Sequence, residues 1–589
     1  MSLQFITGNS GNGKTKYLFN RIVKEAKANP RDNYLVIVPE QFTMQTQRQL
    51  VDLSENKAIM NIDVLSFKRL AYRVFDELGI TNLTVLEETG KNLVLRKLAA
   101  QEADKLGVIG RNLNRIGYIS EVKSLLSELV QYNISPEELG RYIASGRLSD
   151  TLSDKLKDVL VLYEAFEKFM QDKYITAEEI LNVLSNVAEE SAILRNSVIA
   201  FDEFTGFTPI QNQLIKKLFV ISKKIYVTLT IDCREDIFKS RGMQELFDMP
   251  KRTVKSLTEM AAFYGIEVEE PIILDKNYRL AENEELSFME QQLFRKRRCS
   301  FKKVPKHIHI DCLRDPKQEL TKIARRINEL VRNENLRYRD IAIVTGDVNI
   351  YAGYVREIFD KYNIPYFIDA TQEILFHPFI EFIRSIPDIA AQNFSADAVF
   401  RFLRCGFSEL LDSEIDVLEN YVLACGVRGK SAWDKKWVRL PKHKAGYDLE
   451  LLNQSREYIM ELLKPVYQVF SNKKSTVKDY VLAIYKLIVL LDIPDKLAKK
   501  EQALLDAGDQ TASKEYGQIY KIVMQLFEKY VAVLGDECMD AEEFTQILDA
   551  GLDAADVAVI PPGYDTVTIG DIERTRLTNI KVMFFAGVN

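Results

Sequence analysis

Cysteine is sparse in this 589-residue chain and wrongly spaced for a metal. The six, at positions 233, 299, 312, 405, 425 and 538, include no C-x-x-C pair. That absence excludes a zinc ribbon or an iron–sulfur cluster built from local spacing, and it points to buried, reduced thiols in a cytosolic protein. An excess of positive charge is missing too: the formal net charge is −6 and the pI about 5.7. Nucleic acid would therefore have to be held by local patches, not by a global basic field. Histidine is rare. His307 and His309 alternate on one strand face with no third ligand nearby, so a metal site there is unsupported. No apolar run reaches the length of a membrane span, and no charged-then-apolar leader opens the chain. These absences predict a soluble, cytoplasmic protein with no membrane partner. The length exceeds what one hydrophobic core holds and predicts three or four domains.

What is present starts at residue 8. The stretch "GNSGNGKT" lies between an apolar strand, "LQFITG", and the helically spaced "KTKYLFNRIVKEAKA". Strand, glycine loop and helix are the context that G-x-x-x-x-G-K-[ST] requires. Backbone N–H groups of Gly8, Asn9, Ser10, Gly11, Asn12, Gly13, Lys14 and Thr15 would wrap a β-phosphate, aided by the positive end of the helix. Lys14 would bridge the β- and γ-phosphates and Thr15 would ligate Mg²⁺, so ATP–Mg²⁺ is the expected ligand. The complement is an acidic residue ending a buried strand, and "VIAFDEF" supplies it. Asp202 suits the Mg²⁺ shell, and Glu203 would orient and deprotonate an attacking water. That second carboxylate argues for hydrolysis over transfer to a small molecule. In "LDKNYR", Tyr278 would stack on an adenine face and Arg279 would reach a γ-phosphate as an arginine finger.

The pattern along the chain predicts strands at 33–40, 58–65, 196–204, 224–232, 306–313, 340–347 and 363–369, with a helix starting near Ser66. Residues 86–190 and 391–555 read as amphipathic helices with little strand signal. "SPEEL" at Ser135 and "TAEEI" at Thr176 carry helix-start signals. The segment from 565 to the end holds two strands, the last of them apolar enough for a core. That strand would have nothing following it to cover the sheet, which predicts the N-terminal part of a longer protein. The layout predicts an α/β fold of tandem RecA-like P-loop cores with two inserted helical subdomains. The first core takes 1–85 and 191–275, with insertion 86–190. The second takes 276–390 and 556–589, with insertion 391–555.

In this order, "GNSGNGKT", "LVIVPEQFTMQ", "IDVLSFKRLA", "VIAFDEFTGFTPIQ" and "LDKNYR" resemble the motifs of UvrD-like superfamily 1 helicases. "DIAIVTGDVNIYAGYVREIFDKYNIPYFID" resembles the opening of their second motor domain. The nearer resemblance is to the AddB type, helicase/deoxyribonuclease components with an intact first loop and eroded later motifs. It implies a component that is not itself a motor, partnered by an AddA-type helicase–nuclease subunit. Such complexes process double-stranded DNA ends for homologous recombination, and the AddB component is implicated in reading single-stranded Chi. The family's nuclease domain and iron–sulfur cluster lie beyond this chain, so at most weak ATPase activity is implied here. An active ATP-driven translocase is the alternative, and a phosphate-loop enzyme acting on a small molecule a more distant one. Two departures matter. Where the helicases have G-D-x-x-Q, this chain has "TLTIDCRED", without the glutamine that couples γ-phosphate to DNA. Where they have T-x-H-x-x-K-G-L-E, it has "IGDIERTRLTNIKVMFF".

The same resemblance nominates DNA contacts. In "LSFKRLAYR", Ser66 and Lys68 would bind phosphate and Phe67 would stack on a base. In "PEQFTMQTQ", Phe42 and Thr43 would face the same channel. The basic stretch 294–306 reads as a solvated linker, and the two tryptophans within 428–444 read as packing residues before DNA contacts.

Overall fold

The computed structural model describes residues 1–80, 85–86, 88–108, 110, 118–145, 148–171, 174–295, 299–369, 372–374, 376–440, 447–472, 474–553, 556–557, 565–572, 575, 577 and 580–588. It divides into two compact units. The first comprises Met1–Leu86, Leu125–Tyr142 and Phe169–Cys312, and the second comprises Glu87–Ser124, Ile143–Lys168 and Leu313–Asn589.

The first unit is built on seven parallel strands: β1 (Ser2–Gly8), β2 (Tyr34–Ile37), β3 (Ile62–Leu65), β4 (Val198–Phe201), β5 (Lys224–Thr230), β6 (Glu267–Val268) and β7 (Ile272–Leu274). Their order is β3-β2-β4-β5-β1-β6, with β7 also paired to β1. Both faces are covered, so the strands read as nearly continuous apolar runs and not as alternations. One face packs Leu3, Phe5, Leu35, Ile199, Phe201 and Val227 under helices α3 (Phe67–Leu78), α4 (Pro209–Ile221) and α5 (Asp248–Phe263). The other packs Ile6, Val36, Ala200 and Tyr226 under α1 (Lys14–Ala28) and α2 (Thr43–Leu53). Pairing of Gly8 with Thr230 and of Phe201 with Val227 brings the carboxyl ends of β1, β4 and β5 to one edge of the sheet. In open parallel sheets that edge is where ligands bind. The last helix of the unit is α6 (Glu284–Gln292).

The second unit has a four-stranded parallel sheet of β8 (Ile341–Thr345), β9 (Tyr366–Ile368), β10 (Val567–Asp571) and β11 (Val582–Ala586), in the order β9-β10-β8-β11. Leu320, Ala324 and Ile327 of α7 (Pro316–Asn333) and Val355, Ile358 and Phe359 of α8 (Val348–Lys361) share its core. Edge strand β11 leaves Met583 and Phe585 about half exposed. A larger helical core gathers Leu93 and residues from Ile374 to Leu552, Trp433 and Trp437 among them. The helix Glu88–Gln101 packs against Gln510–Leu534 and Ala541–Asp553.

Two expectations need correction. The predicted strand at 306–313 is irregular chain: its alternating isoleucines find no neighbouring strand, and Ile310 is 94% exposed. The six cysteines are all free, but none is buried; Cys299, Cys312 and Cys538 are exposed. The helix-start signals are found in place: at "SPEEL" the Ser135 hydroxyl accepts from Glu138 N at 3.3 Å and donates to Glu137 at the start of the helix Pro136–Ala144, and Thr176 and Glu179 exchange the reciprocal hydrogen bonds of a capping box. Among the described residues no helix is long and apolar enough to cross a membrane.

Candidate nucleotide site

Strand β1 is buried over nearly its whole length and delivers Gly8 to the ligand edge of the sheet. A side chain at Gly8 has no room, since a Cβ would stand 2.6 Å from Leu274 O. The chain then turns through Gly11 (φ 89°) and Gly13 (φ 80°), left-handed conformations that glycine adopts without steric cost. Gly13 is the N-cap of α1, so the free N–H groups at the helix start belong to the loop.

The chemistry-bearing residues converge here. Lys14 Nζ donates to Asn9 O at 3.0 Å, which curls the side chain over its own loop. Burial pushes the Lys14 pKa below its ordinary value, the carboxylates of Glu203 and Asp202 oppose that, and Arg279 adds to it. Thr15 Oγ1 lies 3.3 Å from both Asp202 Oδ1 and Glu203 Oε1, and its single proton serves one of them at a time. Asp202 is buried at the end of β4, where Thr228 Oγ1 of β5 also donates to it. Glu203 is exposed and holds φ 65°, a rare conformation for a residue with a side chain. The hydroxyl and two carboxylates form an all-oxygen set of the kind Mg²⁺ takes when phosphate and water complete its shell. Among the described residues no cluster of three or more His, Cys, Asp or Glu stands ready to hold a metal alone. The donor set thus fits a cation bound together with a nucleotide.

Residues 277–279 lie directly on the loop. Asn277 Nδ2 donates to Ser10 O at 3.0 Å, Tyr278 N donates to Gly11 O at 3.0 Å, and Arg279 Nη1 lies 3.4 Å from Ser10 Oγ. A Cβ on Gly11 would meet Asn277 Oδ1 at 2.7 Å, so this approach requires glycine there. The Tyr278 ring is 66% exposed, passes over Gly13, and carries Lys276 Nζ 5.0 Å from its centroid. One open aromatic face, one arginine and the loop therefore share a surface. Asn277, which fastens the segment, has no signal in the sequence beyond its place beside Tyr278.

The end of β5 differs in kind. Asp232 is buried and bound by Arg234 and Arg295. Burial alone would raise its pKa, but hydrogen bonds from Arg234 and the charges of both arginines hold it down to about 2. Glu235, three residues on, is ion-paired to the buried Lys251 at 2.7 Å. The carboxylate that follows this strand end is thus committed to a neighbouring helix.

The nominated DNA contacts scatter in environment. Thr43 is buried and its hydroxyl donates to Glu40 O, while Phe42 is half-buried against the core under α2. Ser66 caps α3, accepting from Arg69 N, and its hydroxyl donates to the Glu40 carboxylate, which also accepts from Arg69 Nε. Phe67 is buried among Phe201, Phe204 and Phe207, so its ring is a core group and is not presented to a base. Lys68 is exposed. Trp433 and Trp437 are core residues as well, as the packing reading expects. In the basic stretches, residues 296–298 and 441–444 lie outside the described residues. His307 pairs with Glu285 and meets no further ligand-type side chain among them.

Residues 5–290 match the family described as ADDB, N-terminal. The whole chain is similar to the B subunit of the ATP-dependent helicase/deoxyribonuclease of Lachnoclostridium phytofermentans, with 39% identity over 100% of this chain and 52% of that relative. It is 31% identical to the same-named protein of Clostridium novyi, over 100% of this chain and 51% of the relative. With the Clostridioides difficile protein of the same name it shares 31%, over 100% and 52%. The chain spans about half the length of the curated relatives it matches.

Proposed function

The chain belongs to the AddB family of ATP-dependent helicase/deoxyribonuclease components, and from that premise we propose that it is the nucleotide- and DNA-binding helicase-like part of a helicase–nuclease. The complex would process double-strand breaks for homologous recombination, with an AddA-type subunit as partner. The two parallel sheets would be RecA-like cores, and the helical stretches 86–190 and 391–555 their insertions. Single-stranded DNA would cross the carboxyl ends of the strands, where Chi is read.

The observation that carries this reading is the convergence of Lys14, Thr15, Asp202, Glu203 and Arg279 on one loop within one unit. When bound, ATP–Mg²⁺ would supply a labile phosphoanhydride. Loop N–H groups and Lys14 would hold its phosphates, Thr15 and Asp202 would hold the cation, and Tyr278 would cover the base. Glu203 stands ready to orient a water, so slow hydrolysis is expected. Coupling to movement is not, because Glu235, which would stand where the helicase G-D-x-x-Q motif carries its glutamine, is tied to Lys251. A working translocase is the second reading, favoured by the joint presence of Glu203 and Arg279 at the loop. Equilibrium binding of a fluorescent ATP analogue with Mg²⁺ tests the site. Lys14→Ala should weaken it at least about a hundredfold, from the loss of a charged phosphate contact in a partly desolvated loop. Undiminished binding in that variant would remove the site.

A further inference from the structure

Residues 277–295 cross the phosphate loop as a strap fastened at both ends, and the second fastening acts on a single loop residue. Asn9 is only 5% exposed. Its carbonyl accepts from Lys14 Nζ at 3.0 Å and from Asn12 N at 3.2 Å. Both polar atoms of its side chain are engaged: Oδ1 accepts from Cys233 N at 2.9 Å, and Nδ2 donates to Glu290 Oε1 of α6 at 2.7 Å. Adjacent contacts hold the end of α6 in place, since Arg234 Nη2 donates to Gln291 O at 3.2 Å and Arg295 pairs with Asp232 at 2.8 Å. The other end of the strap rests on Ser10 and Gly11 through Asn277 and Tyr278.

Resting on the reading that this loop holds a nucleotide, we propose that Glu290 is a positioning residue of that site, acting through Asn9 to hold the loop in its phosphate-binding form. Asn9 O is the point from which Lys14 must swing to reach a phosphate, and it is also the anchor of the Asn9–Asn12 turn that aims the loop N–H groups inward. A hydrogen bond to a charged acceptor fixes that anchor before the ligand arrives, and a preorganised loop spends less binding free energy on ordering. Glu290 acts against itself in one respect. Its negative charge stands near the seat of an anion, which it repels.

The two effects have opposite consequences for two substitutions, and this separates a positioning role from a purely electrostatic one. Glu290→Gln keeps an oxygen that accepts from Asn9 Nδ2 and removes the charge. Glu290→Ala removes both. The test is the dissociation constant of N-methylanthraniloyl-ATP with Mg²⁺ for the full chain, these two variants and Lys14→Ala. Expected are binding by the parent chain, loss of it in Lys14→Ala, and Glu290→Gln equal to the parent or tighter. Glu290→Ala should bind about tenfold more weakly, equivalent to about 1.4 kcal/mol. If both Glu290 variants bind as the parent does, or both shift in the same direction, the positioning role is refuted while the nucleotide site stands. If the parent chain does not bind, or Lys14→Ala binds as well as the parent, the nucleotide reading itself falls and this inference falls with it.

Discussion

Replacing Glu203 by glycine should make the protein more stable and remove whatever hydrolysis it performs. Glu203 follows a fully buried strand and holds φ 65°. The left-handed conformation costs an ordinary residue about 1–2 kcal/mol. Glycine adopts it freely but loses about 0.5–1 kcal/mol more backbone entropy on folding, which leaves a net gain of about 0.5–1 kcal/mol. Thr15 Oγ1 keeps Asp202 Oδ1 as an acceptor at the same 3.3 Å as Glu203 Oε1. Glu203→Gln is the control that keeps the strained backbone and removes the charge. Thermal unfolding and ATP turnover should be measured on both variants. The glycine variant should unfold about 1–3 °C higher and the glutamine variant within about 1 °C of the parent. Turnover should reach background in both. A lowered midpoint for Glu203→Gly would show that no strain is stored there, contrary to the usual link between backbone outliers and function. Unchanged turnover in Glu203→Gln would end its role as the base.

Two further outcomes follow from the geometry. His377 is buried, its Nδ1 accepts from Phe379 N, and burial lowers its pKa from 6.5 to about 4. The unfolded chain therefore takes up the proton first, so the stability this neutral histidine preserves is complete above pH 6.5 and lost as pH falls through about 4. The full effect is about 3 kcal/mol. His377→Asn keeps an acceptor for Phe379 N and cannot titrate, so denaturant unfolding should lose up to one proton's worth of slope between pH 6.5 and 4, and an unchanged slope would contradict the assignment. Glu40 holds both Ser66 and Arg69 with its carboxylate. Glu40→Ala should release these groups and tighten binding of an oligothymidylate several-fold at low salt, with a steeper salt dependence; fluorescence anisotropy checks this, and equal or weaker binding would mean that this helix end contacts no phosphate.

Much of the fold and the loop was legible because the signals are local. "GNSGNGKT" declares its conformation through its glycines, and the buried strands around it declare themselves as apolar runs of the right length. Asp202 and Glu203 lie far along the chain from Lys14 and could be matched to it because each carries its own strand-end signal. Phe67 was misleading for a physical reason. It sits in the motif-like "LSFKRLA", yet it belongs to the apolar stripe Phe67, Leu70, Ala71, Val74 and Phe75 that buries α3. Helical spacing should have outweighed the motif. At 306–313, alternation of apolar residues suggested a strand, but a strand needs a neighbour, and alternation carries no information about one. The contacts of Asn9 with Cys233 and Glu290 had no sequence signal. They join residues more than two hundred positions apart through the register of β1 against β5 and the path of the strap.

In the proposed function the nucleotide site survives while its coupling to DNA is broken. The most direct test is the steady-state ATPase rate of this chain with and without single-stranded DNA, beside Lys14→Ala. Measurable nucleotide binding, slow turnover and no appreciable acceleration by DNA are expected, with Lys14→Ala losing both binding and turnover. Many-fold stimulation by DNA that Lys14→Ala abolishes would contradict it, and would make the chain a working motor despite the carboxylate at Glu235.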